Sequence, residues 1–386
     1  MTEMVFGGGQ TAGTAEPVLP RWWRTIDSWG LLAVIGLFGC GLLLALAASP
    51  PLATNNGLDP FHYVYRQIFF GSLALATMVL VSMLSPRQVR RLGVLGFLAA
   101  FLAVALLPVF GTDFGKGAVR WYSLGFASLQ PSEFVKPGFV IFAAWMMAAS
   151  AEPGGPPGRA ISFIVALALI GMLALQPDYG QASLILGSWG LMYFVAGASM
   201  TLLIVLAILV AGAGVLAYQT SEHVARRIDG YLSPDIDPST QIGFATNAIR
   251  EGGFLGVGIG EGTVKWSLPD AHTDFIIAVA AEEFGLILCL LILFLFATLV
   301  LRALMRLVRE RDLFIRLAGT GLAVLFGMQA LINLGVAVRL LPAKGMTLPF
   351  VSYGGSSLLA AGILLGMLFA LTRVRPQDGL ADAFGR

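Results

Sequence analysis

The chain has 386 residues, of which 57 % are hydrophobic and 12 % charged, and its formal net charge is +2. Soluble globular domains carry about 25 % charged residues, so this composition excludes an ordinary soluble protein and extensive disorder. The 24 basic and 22 acidic residues nearly balance, without the basic excess that is typical of nucleic-acid binding. Cys40 and Cys289 lie inside apolar runs, which excludes a disulfide framework or a paired-cysteine metal motif.

The apolar runs predict an all-α integral membrane protein, because each run is about long enough to cross some 30 Å of hydrocarbon as a helix. The first run begins near Trp29, after a polar and glycine-rich stretch, so we expect a retained span rather than a removed signal peptide. About ten spans are predicted, at 28–48, 67–84, 92–109, 134–150, 160–176, 181–196, 200–218, 273–300, 313–338 and 350–372.

The arginines predict the orientation of these spans. Ser85–Arg91 contains three arginines and Arg302–Arg316 contains five, and short cytoplasmic connections are rich in Arg and Lys. We therefore expect both termini in the cytoplasm. The predicted organisation is a disordered tail at 1–27, a single polytopic domain at 28–373 and a second tail at 374–386.

Two connections on the predicted outer side, 111–137 and 219–271, are much longer than ordinary loops, and long loops are usually functional or disordered. The second carries Phe, Leu, Ile and Trp among its acids, so we expect a large folded loop between spans 7 and 8. Asp235 and Asp237 in this loop are the best general-base candidates, although loop acids are more often turn residues. The glycine-rich stretch at 256–262 follows no predicted strand, so no nucleotide cofactor is expected.

Charged and polar side chains enter span 4 directly after the first long connection. Glu133 and Lys136 are three residues apart and share a helix face. Charges inside a span suggest function, but a structural ion pair with Ser132 as a helix cap is equally compatible with this pattern. Lys116 and Arg120 precede them in the same connection.

Further polar residues lie at the predicted outer ends of spans. Asp178 is either a turn residue that caps the next helix or a ligand-binding residue. His272, Asp274 and Glu283 can border one cavity at the start of span 8, although His272 alone suits an ordinary interface. Lys344 is either a cation for a phosphate or a lysine that snorkels to the membrane surface.

Taken together, these segments resemble the SEDS family of bacterial cell-wall proteins, the shape, elongation, division and sporulation group. The segment Lys344–Phe350 looks like the division branch of this family rather than its elongation branch. The motifs that carry the resemblance are GAVRWYSLGFASLQPSEFVKP, QPDYGQ, GGFLGVGIGEG with the preceding Asp-Pro, LPDAHTDFIIAVAAEEFG and KGMTLPFVSYGGSS.

The resemblance implies a ten-helix SEDS fold and an inverting peptidoglycan glycosyltransferase that polymerises lipid II. It implies an essential aspartate at Asp237; Asp235 is the alternative, because the sequence departs from the family pattern just after Asp237. Gln181 also replaces the usual threonine. Arg66, Arg120, Lys136 or Lys344 would neutralise the pyrophosphate, either alone or together with a divalent cation such as Mg²⁺ or Mn²⁺. The full set of expected substrate-binding residues is Arg66, Lys116, Arg120, Gln130, Ser132, Glu133, Lys136, Asp178, Gln241, His272, Asp274, Glu283, Lys344 and Ser352.

The resemblance further implies a place in the bacterial inner membrane at the division septum. The expected partners are a class B penicillin-binding protein transpeptidase of the FtsI type, other divisome proteins and the undecaprenyl-linked substrate lipid II. Three alternatives compete with septal polymerisation: a lipid II flippase, a non-catalytic scaffold for the transpeptidase, and an elongation-branch polymerase similar to RodA.

Overall fold

A computed structural model describes residues 18–113, 119–125, 127–197, 199–220, 222–233, 240–268, 271–342 and 345–374. Within these ranges the chain forms thirteen α-helices, one two-stranded antiparallel hairpin and a short 3-10 turn at Val264–Trp266. The helices are α1 Val18–Thr25, α2 Ser28–Asn55, α3 His62–Ser82, α4 Pro86–Phe110, α5 Pro131–Ala149, α6 Gly158–Leu175, α7 Tyr179–Val195, α8 Met200–Thr220, α9 Glu222–Leu232, α10 Gln241–Gly252, α11 Ile276–Leu307, α12 Leu313–Ala337 and α13 Gly355–Thr372, and the strands are β1 Tyr122–Ser123 and β2 Ser128–Leu129.

The prediction of an all-α membrane fold is confirmed. Eight of the described helices are long and apolar enough to cross a membrane: α2, α3, α4, α6, α8, α11, α12 and α13. The other two predicted spans coincide with α5, which carries Glu133 and Lys136 near its start, and α7, which has 17 residues. The predicted number of ten spans therefore stays a prediction.

The most buried helices are α5, α12 and α13, which form the centre of the bundle. Small residues allow close approach here: a side-chain carbon added at Gly362 of α13 would lie 2.4 Å from the carbonyl oxygen of Ala74 in α3. In contrast, the described side chains of α8 are exposed or half-buried, so α8 lies at the edge of the bundle. The polar residues of α5 and α12 thus face protein rather than lipid.

Part of the predicted disordered N-terminal tail is ordered, which corrects that prediction for α1. Trp22 is buried, and its indole Nε1 donates to the Ser82 hydroxyl at 2.8 Å. Asp27 follows at the start of α2 and binds two arginines of α11, with 2.8 Å to Arg302 and 3.4 Å to Arg306. Burial of an indole with a satisfied N–H provides the physical reason for this order.

The glycine-rich segment after α10 packs on a break in α11. Gly285 has φ +71° inside α11 and interrupts its hydrogen bonding, so the Glu282 carbonyl accepts from the Val257 amide at 2.8 Å. A side-chain carbon at Gly256, where φ is +83°, would lie 2.2 Å from the Glu283 carbonyl oxygen. Gly256 and Gly285 therefore allow close packing between two backbone segments. The described parts of 219–271 are folded.

Candidate active site

A polar cavity of about 560 Å³ opens at the end of the bundle where α3, α5, α11 and α13 begin. We call this end the cavity end. Its walls come from the last turns of α2, the start of α3, the hairpin, the start of α5 and two non-helical segments before α11 and α13. The lining residues are Leu52, Tyr63, Arg66, Phe70, Arg120, Trp121, Ala127, Ser128, Gln130, Glu133, His272, Thr273, Asp274, Gly345, Thr347, Tyr353, Gly354, Gly355, Ser356 and Ser357.

The two non-helical segments are held by amides of α12. Asn333 donates from Nδ2 to the carbonyls of Asp274 at 3.0 Å and Met346 at 2.6 Å. Gln329, one turn earlier, donates to the Thr347 carbonyl at 3.1 Å. Irregular backbone at membrane depth requires such partners, because lipid offers none. These two amides thus fix the wall of the cavity.

Ser352 joins the same two segments directly. Its hydroxyl accepts from the Leu348 amide at 2.9 Å and donates to the Thr273 carbonyl, while the Tyr353 amide donates to the His272 carbonyl at 3.0 Å. Ser352 itself is buried and is absent from the cavity lining. The structure therefore gives this predicted substrate-binding residue a role in holding the wall.

Charged groups of both signs line the cavity. Arg66 lies with its guanidinium 5.9 Å from the centre of the Phe70 ring. Arg120 donates to the Gln176 carbonyl at 2.9 Å and to the Pro177 carbonyl at 2.8 Å, which fixes its guanidinium at the rim. Glu133 and Asp274 supply carboxylates. Six predicted site residues thus meet in one cavity: Arg66, Arg120, Gln130, Glu133, His272 and Asp274.

Lys136 lies beneath this cavity rather than in it. Its ammonium group is 2.9 Å from Glu133 Oε2 and donates to Gln329 Oε1 at 3.1 Å, and its side chain is 2 % exposed. Gln181 donates to the other Glu133 oxygen at 2.5 Å. The Lys136 ammonium group thus binds Glu133 and Gln329 in a buried network and does not line the cavity.

Asp178 lies at the N-cap position of α7 and is also buried. The Ser132 hydroxyl donates to its Oδ2 at 3.5 Å. Burial raises the pKa of Asp178 above its usual value, and the nearby charge of Arg120 counteracts this only in part. Ser132 and Asp178 therefore connect the starts of α5 and α7. Neither residue is part of the cavity lining.

Glu283 lies away from the cavity, which corrects the prediction that it borders one cavity with His272 and Asp274. Its carboxylate forms an ion pair with the buried Lys265 and accepts from the Gly260 amide at 3.2 Å. Neighbouring Glu282 accepts from the Thr263 amide at 2.6 Å. The two acids therefore fasten the glycine-rich segment to α11, which is a structural function.

The remaining predicted residues are outside the cavity lining or outside the described residues. Gln241 is the exposed first residue of α10. Lys116, Asp235, Asp237 and Lys344 lie outside the described residues, so their roles stay predictions.

An aromatic wall of the cavity was not predicted from the sequence, except for its member His272. The rings of Tyr63, His272 and Tyr353 lie with their centres 5.3–5.6 Å apart. Tyr63 lies at the start of a span, where aromatic residues commonly mark the membrane interface. The local sequence therefore could not distinguish a cavity-lining tyrosine from an ordinary interface tyrosine. Gln329 and Asn333 were also missed; two amides four residues apart in an apolar helix were the available signal.

The fold and its charged end cavity define a multi-pass membrane protein with a polar ligand site. The FtsW/RodA/SpoVE family, described as cell cycle protein, matches residues 28–377. The chain belongs to this family, and the sequence resemblance to SEDS proteins is thereby confirmed.

Individual relatives agree with the family. A "Probable peptidoglycan glycosyltransferase FtsW" of Caulobacter vibrioides is 43 % identical over 377 residues, covering 97 % of this chain and 96 % of the relative. A protein of the same description from Alkalilimnicola ehrlichii is 37 % identical, covering 93 % and 90 %.

Solved structures show the same fold. A chain from "Structural coordination of polymerization and crosslinking by a peptidoglycan synthase complex" superimposes with a TM-score of 0.78 at 30 % identity, covering 92 % of this chain and 100 % of the other. The rod shape determining protein RodA of Thermus thermophilus gives a TM-score of 0.64 at 27 % identity, covering 91 % and 97 %.

Proposed function

We propose that this chain is a peptidoglycan glycosyltransferase that polymerises lipid II during cell division. The observation that carries the proposal is the polar cavity at one end of a lipid-embedded bundle, lined by Arg66, Arg120, Glu133 and Asp274, in a chain of the FtsW/RodA/SpoVE family. A cavity in this place lets a sugar headgroup meet charged side chains while its apolar tail stays in the bilayer.

The two arginines of the cavity suit the leaving group of this reaction. Glycan polymerisation transfers a sugar from a lipid pyrophosphate to an acceptor hydroxyl, so negative charge develops on the departing pyrophosphate. Guanidinium groups bind phosphate oxygens through paired hydrogen bonds. Arg66 and Arg120 therefore provide the charge neutralisation, and a leaving group that is already a weak base requires no protonating acid.

The acceptor hydroxyl requires a base, and Asp237 is the proposed one, with Asp235 as the alternative. Both belong to 234–239, between Ser233 after α9 and Thr240 at the start of α10. Glu133 is less suitable, because Lys136 and Gln181 already bind its two oxygens. A single displacement at the anomeric carbon inverts its configuration.

The aromatic wall suits the saccharide part of the substrate. Sugar rings present apolar C–H faces as well as hydroxyl groups, and pockets for such ligands combine aromatic rings with a few placed polar groups. Tyr63, His272 and Tyr353 supply the rings, and Asp274 and Ser356 supply polar groups nearby. We therefore assign the sugar rings to this wall and the pyrophosphate to the arginines.

A divalent cation would be an addition to this reaction. Among the described residues, no three His, Cys, Asp or Glu side chains are grouped closely enough to hold an ion. A bound Mg²⁺ or Mn²⁺ would supply further phosphate neutralisation. Its requirement stays a prediction that depends on the acids of 234–239.

The partner and the orientation belong to the same proposal. A structural neighbour comes from a synthase complex of polymerization and crosslinking, which supports a penicillin-binding protein transpeptidase of the FtsI type beside this chain at the septum. Arg87, Arg90, Arg302 and Arg306 lie at the end opposite the cavity. By the preference of arginine for the cytoplasmic side, both termini are inside and the cavity opens outward.

The test is lipid II polymerisation by the purified chain, with and without its transpeptidase partner. The wild type should yield glycan chains, Asp237→Asn should yield none, and Asp59→Asn should match the wild type, since the exposed Asp59 is absent from the cavity lining. Should Asp237→Asn retain full activity while Asp235→Asn is inactive, the base is Asp235.

A wild-type protein that makes no glycan with an active partner contradicts the proposal. Movement of labelled lipid II across proteoliposome membranes by that same protein would then identify a flippase. Loss of both aspartates without effect in cells would identify a scaffold, and round rather than filamentous cells on depletion would identify the elongation branch.

A further inference from the structure

Helix α1 carries apolar and basic side chains on opposite sides. Leu19 and Trp23 are four residues apart and share a helix face, and they are 64 % and 61 % exposed. By helical spacing, Arg21 and Arg24 lie on the other side, and both are exposed as well. The eight residues of α1 include no acid. A helix with Trp and Leu on one face and Arg on the other is typical of helices that lie in a membrane interface.

Two hydrogen bonds hold α1 at the end of the bundle opposite the cavity. The Trp22 indole donates to Ser82, the last residue of α3, at 2.8 Å. The Val374 amide, just after α13, donates to the Thr25 carbonyl at 3.1 Å. Both α3 and α13 are long and apolar enough to cross a membrane. Because α1 is bound where these helices end, it lies at the level where the chain leaves the hydrocarbon.

The apolar face of α1 is only partly covered by protein. Trp22 is buried, whereas the neighbouring ring of Trp23 remains mostly uncovered. The two tryptophans, with Leu19, Pro20 and Arg24, line an open groove of about 420 Å³. Tryptophan is enriched where helices meet lipid headgroups, and acyl chains at this depth can cover apolar side chains that water would otherwise contact. Position and composition therefore favour lipid as the occupant of this groove.

The charge around α1 selects the kind of lipid. Residues 18–27 and 82–91 contain five arginines and one acid, Asp27, and Asp27 already binds two arginines of α11. The exposed arginines of these two segments are Arg21, Arg24, Arg87 and Arg91. Guanidinium groups bind phosphate oxygens through paired hydrogen bonds, and basic clusters beside a membrane surface attract anionic lipids. The arginines thus favour an anionic phospholipid over a zwitterionic one.

We propose that α1 is an interfacial helix that binds anionic phospholipid at the end of the bundle opposite the cavity. Leu19 and Trp23 contact the acyl chains, and Arg21 and Arg24 bind the phosphate of the headgroup. The inference does not depend on the proposed reaction, because no residue of α1 lines the cavity.

Quenching of tryptophan fluorescence by brominated lipid tests this inference. The full chain is reconstituted in equimolar phosphatidylcholine and phosphatidylglycerol, with bromine on the acyl chains of either one. The fluorescence lost in Trp23→Phe isolates the signal of Trp23. Brominated phosphatidylglycerol should quench this signal at least about twofold more than brominated phosphatidylcholine does. Arg21→Gln with Arg24→Gln should abolish the difference, whereas Arg21→Lys with Arg24→Lys should retain much of it, because the charge is kept.

The matched control is Arg309→Gln with Arg311→Gln. It removes two exposed charges at the same end of the bundle, from the connection between α11 and α12, and should keep the wild-type preference. Loss of the preference in this control would assign it to total charge and overturn the inference. Equal quenching by both brominated lipids in the wild type would also overturn it. Absence of quenching by either lipid would place Trp23 in water and overturn the interfacial position itself.

Discussion

The ion pair between Lys265 and Glu283 provides a quantitative test of the structural role given to Glu283. Its side chain is 0 % exposed and that of Lys265 is 5 % exposed, so water cannot replace the ammonium group in Lys265→Met. Breaking a buried pair in this way costs about 3–5 kcal/mol, whereas an exposed pair is worth about 0–1 kcal/mol. We therefore expect Lys265→Met to lower the melting temperature of the purified protein by more than the loss of an exposed ion pair would.

The double variant Lys265→Met with Glu283→Gln should recover most of that loss, because it leaves no uncompensated charge and the Gln oxygen can still accept from Gly260. Differential scanning fluorimetry in detergent measures the recovery, and glycan synthesis per folded molecule should equal the wild type. A double variant that is stable but inactive would contradict the structural role of Glu283, because Glu283 would then act on the substrate.

Three further predictions concern the glycine-rich segment, Asp27 and the aromatic wall. Gly256→Ala should lower the melting temperature, by an amount corresponding to at least about 1 kcal/mol of left-handed strain plus a clash with α11, whereas Gly171→Ala, with open space around it, should not. Burial raises the pKa of Asp27, but hydrogen bonding to Arg302 and the charge of Arg306 outweigh burial and hold that pKa below its usual value. The stabilisation is therefore present above about pH 4 and lost as pH falls through the lowered pKa, so melting temperatures of the wild type and Asp27→Asn should converge in acid. Tyr63→Leu should raise the KM for lipid II severalfold in steady-state polymerisation, and an unchanged KM would remove the ring from the binding site.

The long helices of this fold could be predicted from the sequence, because a long apolar segment in lipid satisfies its backbone hydrogen bonds by forming a helix. The α1 helix could not be predicted in this way, because it has only eight residues and is polar on one side. Its order depends on the hydrogen bond from Trp22 to Ser82, which is distant in sequence. The exact number of spans was likewise undetermined by the runs alone.

The charged lining of the cavity could be predicted because Arg66, Glu133 and Asp274 lie at the ends of predicted spans and Arg120 lies in the long connection before span 4. The burial of Lys136 could not be predicted from the sequence, because its partner Gln329 is 193 residues away in the chain. The pairing of Lys265 with Glu283 depends on the glycine-rich segment packing against the break at Gly285, a tertiary contact that has no local signal. Local patterns thus identified polar groups near a ligand site but could not separate those that line it from those that support it.

Site-specific photo-crosslinking tests whether the sugar of lipid II occupies the cavity, as the proposed function requires. A photoreactive amino acid replaces Tyr63 of the cavity wall or Tyr65, which is 63 % exposed on α3 and absent from the lining, in protein that also carries Asp237→Asn. With lipid II labelled on its peptide, irradiation should attach label at position 63 and little at position 65. Equal labelling at both positions, or labelling at 65 alone, would contradict the placement of the substrate.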